Sequence, residues 1–165
     1  MQNNIYITYN PESEVERTLA NDLYIKGRKN GYFIYLPERN YSNKITSKTK
    51  LNINSSNWFV VFSTSQLSET VTQEIDFAFQ SKNDNQVIVI YSSHNGKNID
   101  FPNRKPIEMY IDDYDLNSIE KFKNDLFEKV STKSQKKESL SALEIILGIG
   151  AAILLIGSLA SDNKD

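Results

Sequence analysis

At 165 residues the chain has room for one ordinary domain and a short appendage. With 39% apolar and 24% charged residues it can bury a core and is neither disordered nor collagen-like, and nineteen basic against twenty-one acidic side chains argue against the broad positive surface of a nucleic-acid binder. No cysteine and a single histidine exclude a disulfide framework, a thiol nucleophile and a zinc site of the usual ligand types.

Ile5-Tyr6-Ile7-Thr8-Tyr9 is a β-branched and aromatic run that reads as a first strand, and Asn10-Pro11-Glu12 is the turn that starts a helix. Val15, Leu19 and Leu23 recur at four-residue spacing with Ala20 beside them, and Gly31 closes the helix before a second strand, Tyr32-Phe33-Ile34-Tyr35-Leu36. The stretch after Pro37 is poor in apolar residues; Ile45, Leu51 and Ile53 place a helix over roughly Ser42 to Ile53. Trp58-Phe59-Val60-Val61-Phe62 is continuously apolar, as a strand covered on both faces must be.

A third helix, about Ser68 to Gln80, carries Val71, Ile75, Ala78 and Phe79 on one face. Val87 to Tyr91 is another buried-type strand, a loop with Pro102 and Pro106 leads to an edge strand at Ile107 to Ile111, and Ile119, Phe122, Leu126, Phe127 and Val130 mark a last helix entered at Asp115. Strands alternating with helices, joined by connections too long for hairpins, imply a doubly wound, flavodoxin-like α/β fold with five parallel strands in the order 2-1-3-4-5.

The C-terminal segment differs from the rest. Ile145 to Ala160 holds no charge over 16 residues, and taken from Leu140 the stretch is 21 residues, which at about 1.5 Å per residue covers roughly the 30 Å of a bilayer core. The alternative is a buried or oligomer-packing helix. The membrane reading divides the chain into a domain at 1–130, a polar linker at 131–139, a transmembrane helix at 140–160 and a polar tail at 161–165. Lys129, Lys133, Lys136 and Lys137 flank the apolar run, so the expected protein is single-pass in the cell membrane, with its domain on the cytoplasmic side.

In a sheet of this order, ligands bind beyond the carboxyl ends of the strands, at the switch point between strands 1 and 3. That geometry nominates Tyr9 and Asn10, Ser63, Thr64 and Ser65, and Glu38, Arg39 and Asn40. Glu74 stands out because it sits inside the inward stripe, three residues after Val71 and four before Ala78. An inward carboxylate must pair, shift its pKa upward or line a cleft; otherwise it forms a salt bridge or points to solvent from the stripe's edge. Neither a Gly-x-Gly-x-x-Gly motif nor a Gly-Lys-Ser/Thr phosphate loop is present, and Ser63 stands where a phosphoacceptor aspartate would. His94 reads as a surface loop residue with no second ligand in sequence, and Asp112, Asp113 and Asp115 read as a solvated helix-start cluster, so no metal site is expected.

Residues 4 to 130 resemble the Toll/interleukin-1 receptor (TIR) family, particularly its bacterial members. Ile5 to Asn10 is similar to the family's first box, Tyr35 to Lys44 stands where its second-box loop occurs, and Ser56 to Ser63 is similar to its third strand ending in Ser. Ser68-Glu69-Thr70-Val71-Thr72-Gln73-Glu74-Ile75-Asp76-Phe77-Ala78 follows the family's Ser-x-Trp-Cys-x-x-Glu-x-x-x-Ala helix, with Thr70 in place of Trp and Val71 in place of Cys. The second-box loop lacks the Pro-Gly that often follows its charged residues.

The resemblance places Glu74 at the catalytic glutamate of NAD-cleaving TIR domains. It implies cleavage of the nicotinamide–ribose bond of NAD+, a substrate rather than a cofactor, to ADP-ribose or a cyclic derivative, with Tyr9, Asn10, Arg39 and Ser63 on the substrate. It also implies self-association through TIR domains and a setting like bacterial antiviral defence. A non-enzymatic TIR scaffold at the membrane is the alternative, and a nucleoside deoxyribosyltransferase-like enzyme a third reading.

Overall fold

The computed structural model describes residues 3–38 and 44–131. Strand β1, Asn4–Thr8, is buried at four of its five positions and leads through a turn in which Ser13 N–H donates to Asn10 O at 3.1 Å. Helix α1, Glu14–Lys29, is capped by Ser13, whose side chain accepts from Glu16 N–H. Glu14 and Glu16 in its first turn and Lys26, Arg28 and Lys29 in its last complement the helix dipole. Gly31, at φ +82°, takes the left-handed conformation that turns the chain into β2, Phe33–Tyr35.

The inward face of α1 departs from the four-residue spacing in its first turn. Leu19, Ala20 and Leu23 are buried as expected, but Val15 is 45% exposed and Glu16 is sealed. In the first turn the protein core receives a carboxylate, and the valine faces water. Further along, a Cβ on Gly27 would lie 2.2 Å from Ile34 Cδ1 and 3.1 Å from the Phe127 ring, so the absent side chain lets α1 settle onto β2.

Helix α2, Ser47–Ser55, begins later than the predicted Ser42, because Thr46 caps it by accepting from Thr49 N–H. Ser42 itself lies outside the described residues. Strand β3, Trp58–Ser63, is buried throughout. Helix α3, Glu69–Ser81, is capped by Ser68 and buries Val71, Glu74, Ile75, Ala78 and Phe79, the stripe read from spacing. A short 3-10 turn, Asp84–Gln86, leads into β4, Val87–Ser92, also wholly buried, and β5, Ile107–Ile111, alternates as an edge strand should. A last helix, α4, covers residues 116–131.

All four strand pairings are parallel, and the order is β2-β1-β3-β4-β5. On one face Tyr6, Phe59, Val61, Val87, Val89 and Tyr91 pack against Ile53 of α2 and Val71, Ile75, Ala78 and Phe79 of α3. Tyr6 and Phe59 stack there at 5.9 Å. On the other face Phe62 meets Phe122 of α4 edge-on at 6.2 Å. Residues Met1–Glu128 form one compact unit. Among the described residues no helix is long and apolar enough to cross a membrane; the predicted transmembrane helix, polar tail and all of the linker but Ser131 lie outside them.

Candidate functional site

Two buried carboxylates mark the carboxyl-terminal end of β1. Glu74 reaches it from α3 and is 1% exposed. Tyr6 Oη donates to Glu74 Oε1 at 3.3 Å, and Thr8 Oγ1 donates to Glu74 Oε2. Tyr6 and Thr8 share a face because side chains alternate along a strand. These two partners are hydroxyls, each able to donate or accept.

Glu16 reaches the same strand end from α1 and is the residue that sequence reasoning missed. Its Oε2 accepts from Asn10 N–H at 2.7 Å. Its Oε1 accepts from Thr64 N–H at 3.0 Å and Ser65 N–H at 2.9 Å, and from the hydroxyls of both residues at 2.9 Å. One carboxylate therefore ties the loop after β1 to the loop after β3, across the point where the strand order reverses. Ser13-x-x-Glu16 is a capping-box signature, the signal that marks this glutamate in the sequence. Its carboxylate reaches past the helix end to the neighbouring loops.

The other nominated residues are placed as follows. Tyr9 is buried directly after β1. Asn10 is committed to the loops: its Nδ2 donates to Gln66 O at 2.8 Å, and its Oδ1 accepts from Glu12 N–H at 3.1 Å. Ser63 is 1% exposed and donates to Asn98 Oδ1. Arg39, with Asn40, lies outside the described residues. The structure thus brings Glu74, Tyr9, Asn10 and Ser63 to one edge of the sheet, with Asn10 and Ser63 spent on fixing loops.

Beside them opens a groove of about 430 Å³ lined by Thr64, Ser65, Gln66, Leu67, Asn95, Asn98 and Ile99. Its lining is amide, hydroxyl and aliphatic, without a charged side chain. Asn95 Nδ2 donates to Thr64 O at 3.4 Å, bridging the loops after β3 and β4.

His94 departs from its expected isolation. Its Nε2 lies 2.8 Å from Asp112 Oδ1, joining the loop after β4 to the loop after β5. That hydrogen bond and the Asp112 charge, helped by Asp113, hold the imidazole pKa above its usual value. At the opposite end of the sheet Lys82 is buried, and its Nζ donates to Ser56 O at 2.7 Å. Burial lowers its pKa to about 8.

Neither a protein-family model nor a curated protein matches the chain. Solved structures do. The flavodoxin-like domain of a Synechococcus sp. protein superposes on 80% of this chain and 99% of its own length, with a TM-score of 0.56 and 14% identity. A diflavin flavoprotein A3 from Nostoc sp. superposes on 83% of this chain and 99% of its own, with a TM-score of 0.55 and 14% identity. The fold is flavodoxin-like. The lysine decarboxylase LdcF of Francisella novicida contains a similar region, matching 80% of this chain and 17% of that enzyme at a TM-score of 0.53 and 9% identity. At such identities the likeness is one of fold alone. In a flavodoxin-like sheet the switch point lies between β1 and β3, where Glu16 sits in this chain.

Proposed function

We propose that this chain is a TIR-like NAD+ nucleosidase in which Glu74 acts at the ribose C1 as nicotinamide leaves. The observation that carries the reading is the position of Glu74: a carboxylate on the inward face of α3, received by Tyr6 and Thr8 at the carboxyl end of β1. That edge is where ligands meet sheets of this order. The Ser68 to Ala78 motif selects the same residue independently.

As the glycosidic bond breaks, C1 becomes oxocarbenium-like, and an ionised carboxylate beside it stabilises the charge. The bond that breaks is C1–N; the electron pair leaves with nicotinamide, and water or a hydroxyl of the same nucleotide completes C1. No metal takes part in this step. The three backbone N–H groups of the switch point that hold Glu16 are already taken by an anion, so they are not offered to the phosphates of a nucleotide or a flavin. Tyr9 then stacks on a ring of the substrate and Arg39 meets its phosphates, while Asn10 and Ser63 hold the loops.

The C-terminal run anchors the protein in a membrane, with the domain on the cytoplasmic side and self-association completing the active assembly. Confinement to a surface raises effective concentration without new contacts. The setting is antiviral defence by NAD+ depletion or by a nucleotide signal. A second reading, a TIR scaffold without catalysis, is favoured by the near-complete burial of Glu74.

Concentrated full-length protein in detergent or lipid, incubated with NAD+, tests the first reading against the second. Nicotinamide release by the wild type and none by Glu74→Gln, with assembly intact in both, is the expected result. Equal release by both proteins, or none from an assembled wild type, removes the catalytic role of Glu74.

A further inference from the structure

The sequence offers His94 as a lone loop histidine and Asp112, Asp113 and Asp115 as a helix-start cluster. The fold separates these roles. Asp115 starts α4: its Oδ1 accepts from Asn117 N–H at 3.0 Å and its Oδ2 from Ser118 N–H at 3.3 Å. Asp112 Oδ1 accepts from Tyr114 N–H at 3.0 Å in the turn before α4, and Asp112 and Asp113 both lie beside His94, which arrives from the loop after the neighbouring strand. One ligand atom from each of the three residues lies within 4.8 Å of the others.

We propose that His94, Asp112 and Asp113 form a binding site for a divalent first-row metal ion such as Mn2+. The donor set fits that class: one imidazole nitrogen favours transition ions over Mg2+ and Ca2+, and two carboxylates neutralise the ionic charge. Ligand atoms around an ion with bonds of roughly 2.0–2.2 Å stand about 3–4 Å apart, so small side-chain rotations close the set. Three protein ligands leave coordination positions open to water or a further ligand.

The ligands are carried on firm supports. Ser92 and Ile111 pair in the β4–β5 register, and Ser93 N–H donates to Ile111 O at 2.8 Å, which sets the two loops side by side. Ser92, wholly buried, donates from Oγ to Asp113 Oδ1 at 3.2 Å and accepts from His94 N–H at 3.3 Å, so one hydroxyl orients both ligand-bearing loops. The Tyr114 ring meets the imidazole edge-on at 5.3 Å. An entering ion takes the place of the proton between Nε2 and Oδ1. His94 and Asp112 side chains are 50% and 36% exposed, so the ion has access from solvent.

Full-length, untagged protein stripped with a chelator and titrated with Mn2+ by calorimetry tests the site, and the paramagnetism of the same ion adds a direct readout. The chain has one histidine, so its imidazole NMR signal is unambiguous. The expected result is saturable one-to-one binding and selective broadening of that signal by Mn2+. Affinity should fall in His94→Ala and Asp113→Asn by more than the roughly 10–100-fold that loss of an outer-shell partner costs. Asp115→Asn, which removes the neighbouring charge but keeps a capping oxygen, should bind as the wild type does. Binding that survives His94→Ala unchanged, a histidine signal untouched by Mn2+, or no saturable binding below millimolar ion overturns the proposal.

Discussion

Among the described residues Glu16 and Glu74 are the acidic side chains sealed from solvent, at 0% and 1% exposure, and both converge on the end of β1. Their surroundings differ in one respect. Both accept from hydroxyls, Glu16 from those of Thr64 and Ser65, but Glu16 is also met by the backbone N–H groups of Asn10, Thr64 and Ser65, which cannot turn into acceptors. Glu74 is met by the hydroxyls of Tyr6 and Thr8, which can. Burial alone therefore does not mark a catalytic carboxylate. A carboxylate that stabilises charge on a substrate works in surroundings oriented before the reaction, and one that ties two loops together needs donors that the backbone itself supplies.

The largest effect expected from this contrast is on stability at Glu16. Hydrogen bonds to a charged group contribute roughly 1.5–3 kcal/mol each and an orphaned buried donor costs about 1–3, without simple additivity, so Glu16→Ala should lose about 3–4 kcal/mol in denaturant unfolding. A loss below about 1 kcal/mol would break the comparison. Next comes Thr8→Val, which keeps the shape but withdraws a hydroxyl from Glu74; about 1–2 kcal/mol is expected from the same measurement. Tyr6→Phe, whose bond is longer at 3.3 Å, should cost about 1 kcal/mol or less.

Glu74→Gln sharpens the contrast further. The amide oxygen can accept from one hydroxyl while its NH2 donates to the other, whose hydrogen turns away, so its unfolding free energy should change by less than about 1 kcal/mol while nicotinamide release is lost. The smallest effect concerns Lys82, a buried cation on one fixed carbonyl at the other end of the sheet. Its pKa is lowered from 10.5 to about 8 in the folded protein. Below pH 8 both states hold the proton; above it the folded state releases it first, so stability contributed at this site rises with pH from about 8 towards 10.5. Lys82→Met should flatten that rise. The difference is best read below pH 10, because burial, with nearby Glu108, Tyr110 and Asp100, pushes the Tyr91 phenol up to about 12.

The sheet was legible because β3 and β4 are apolar at nearly every position and the helical stripes between them are distinct. The stripe on α3 placed Glu74 inward for the same reason. The stripe on α1 misled at its first turn: Val15, Leu19 and Leu23 satisfy a four-residue spacing, yet Glu16 also lies three before Leu19 and four before Ala20. Which of the two turns inward depends on donors in the loops after β1 and β3, and the second of these lies 48 residues away. The start of α2 depended on which threonine or serine served as cap, and Thr46 does. The pairing of His94 with Asp112 spans 18 residues and follows from strand register, which local spacing does not encode.

The claim that Glu74 is chemical and Glu16 structural is tested most directly by comparing Glu74→Gln and Glu16→Gln side by side. Nicotinamide release per folded molecule would be measured at a temperature where unfolding curves show both variants folded. The account predicts that Glu16→Gln, though the less stable, keeps measurable release, and that Glu74→Gln, near wild type in stability, keeps none. Release retained by Glu74→Gln and lost only in proportion to unfolded protein in both variants would contradict it.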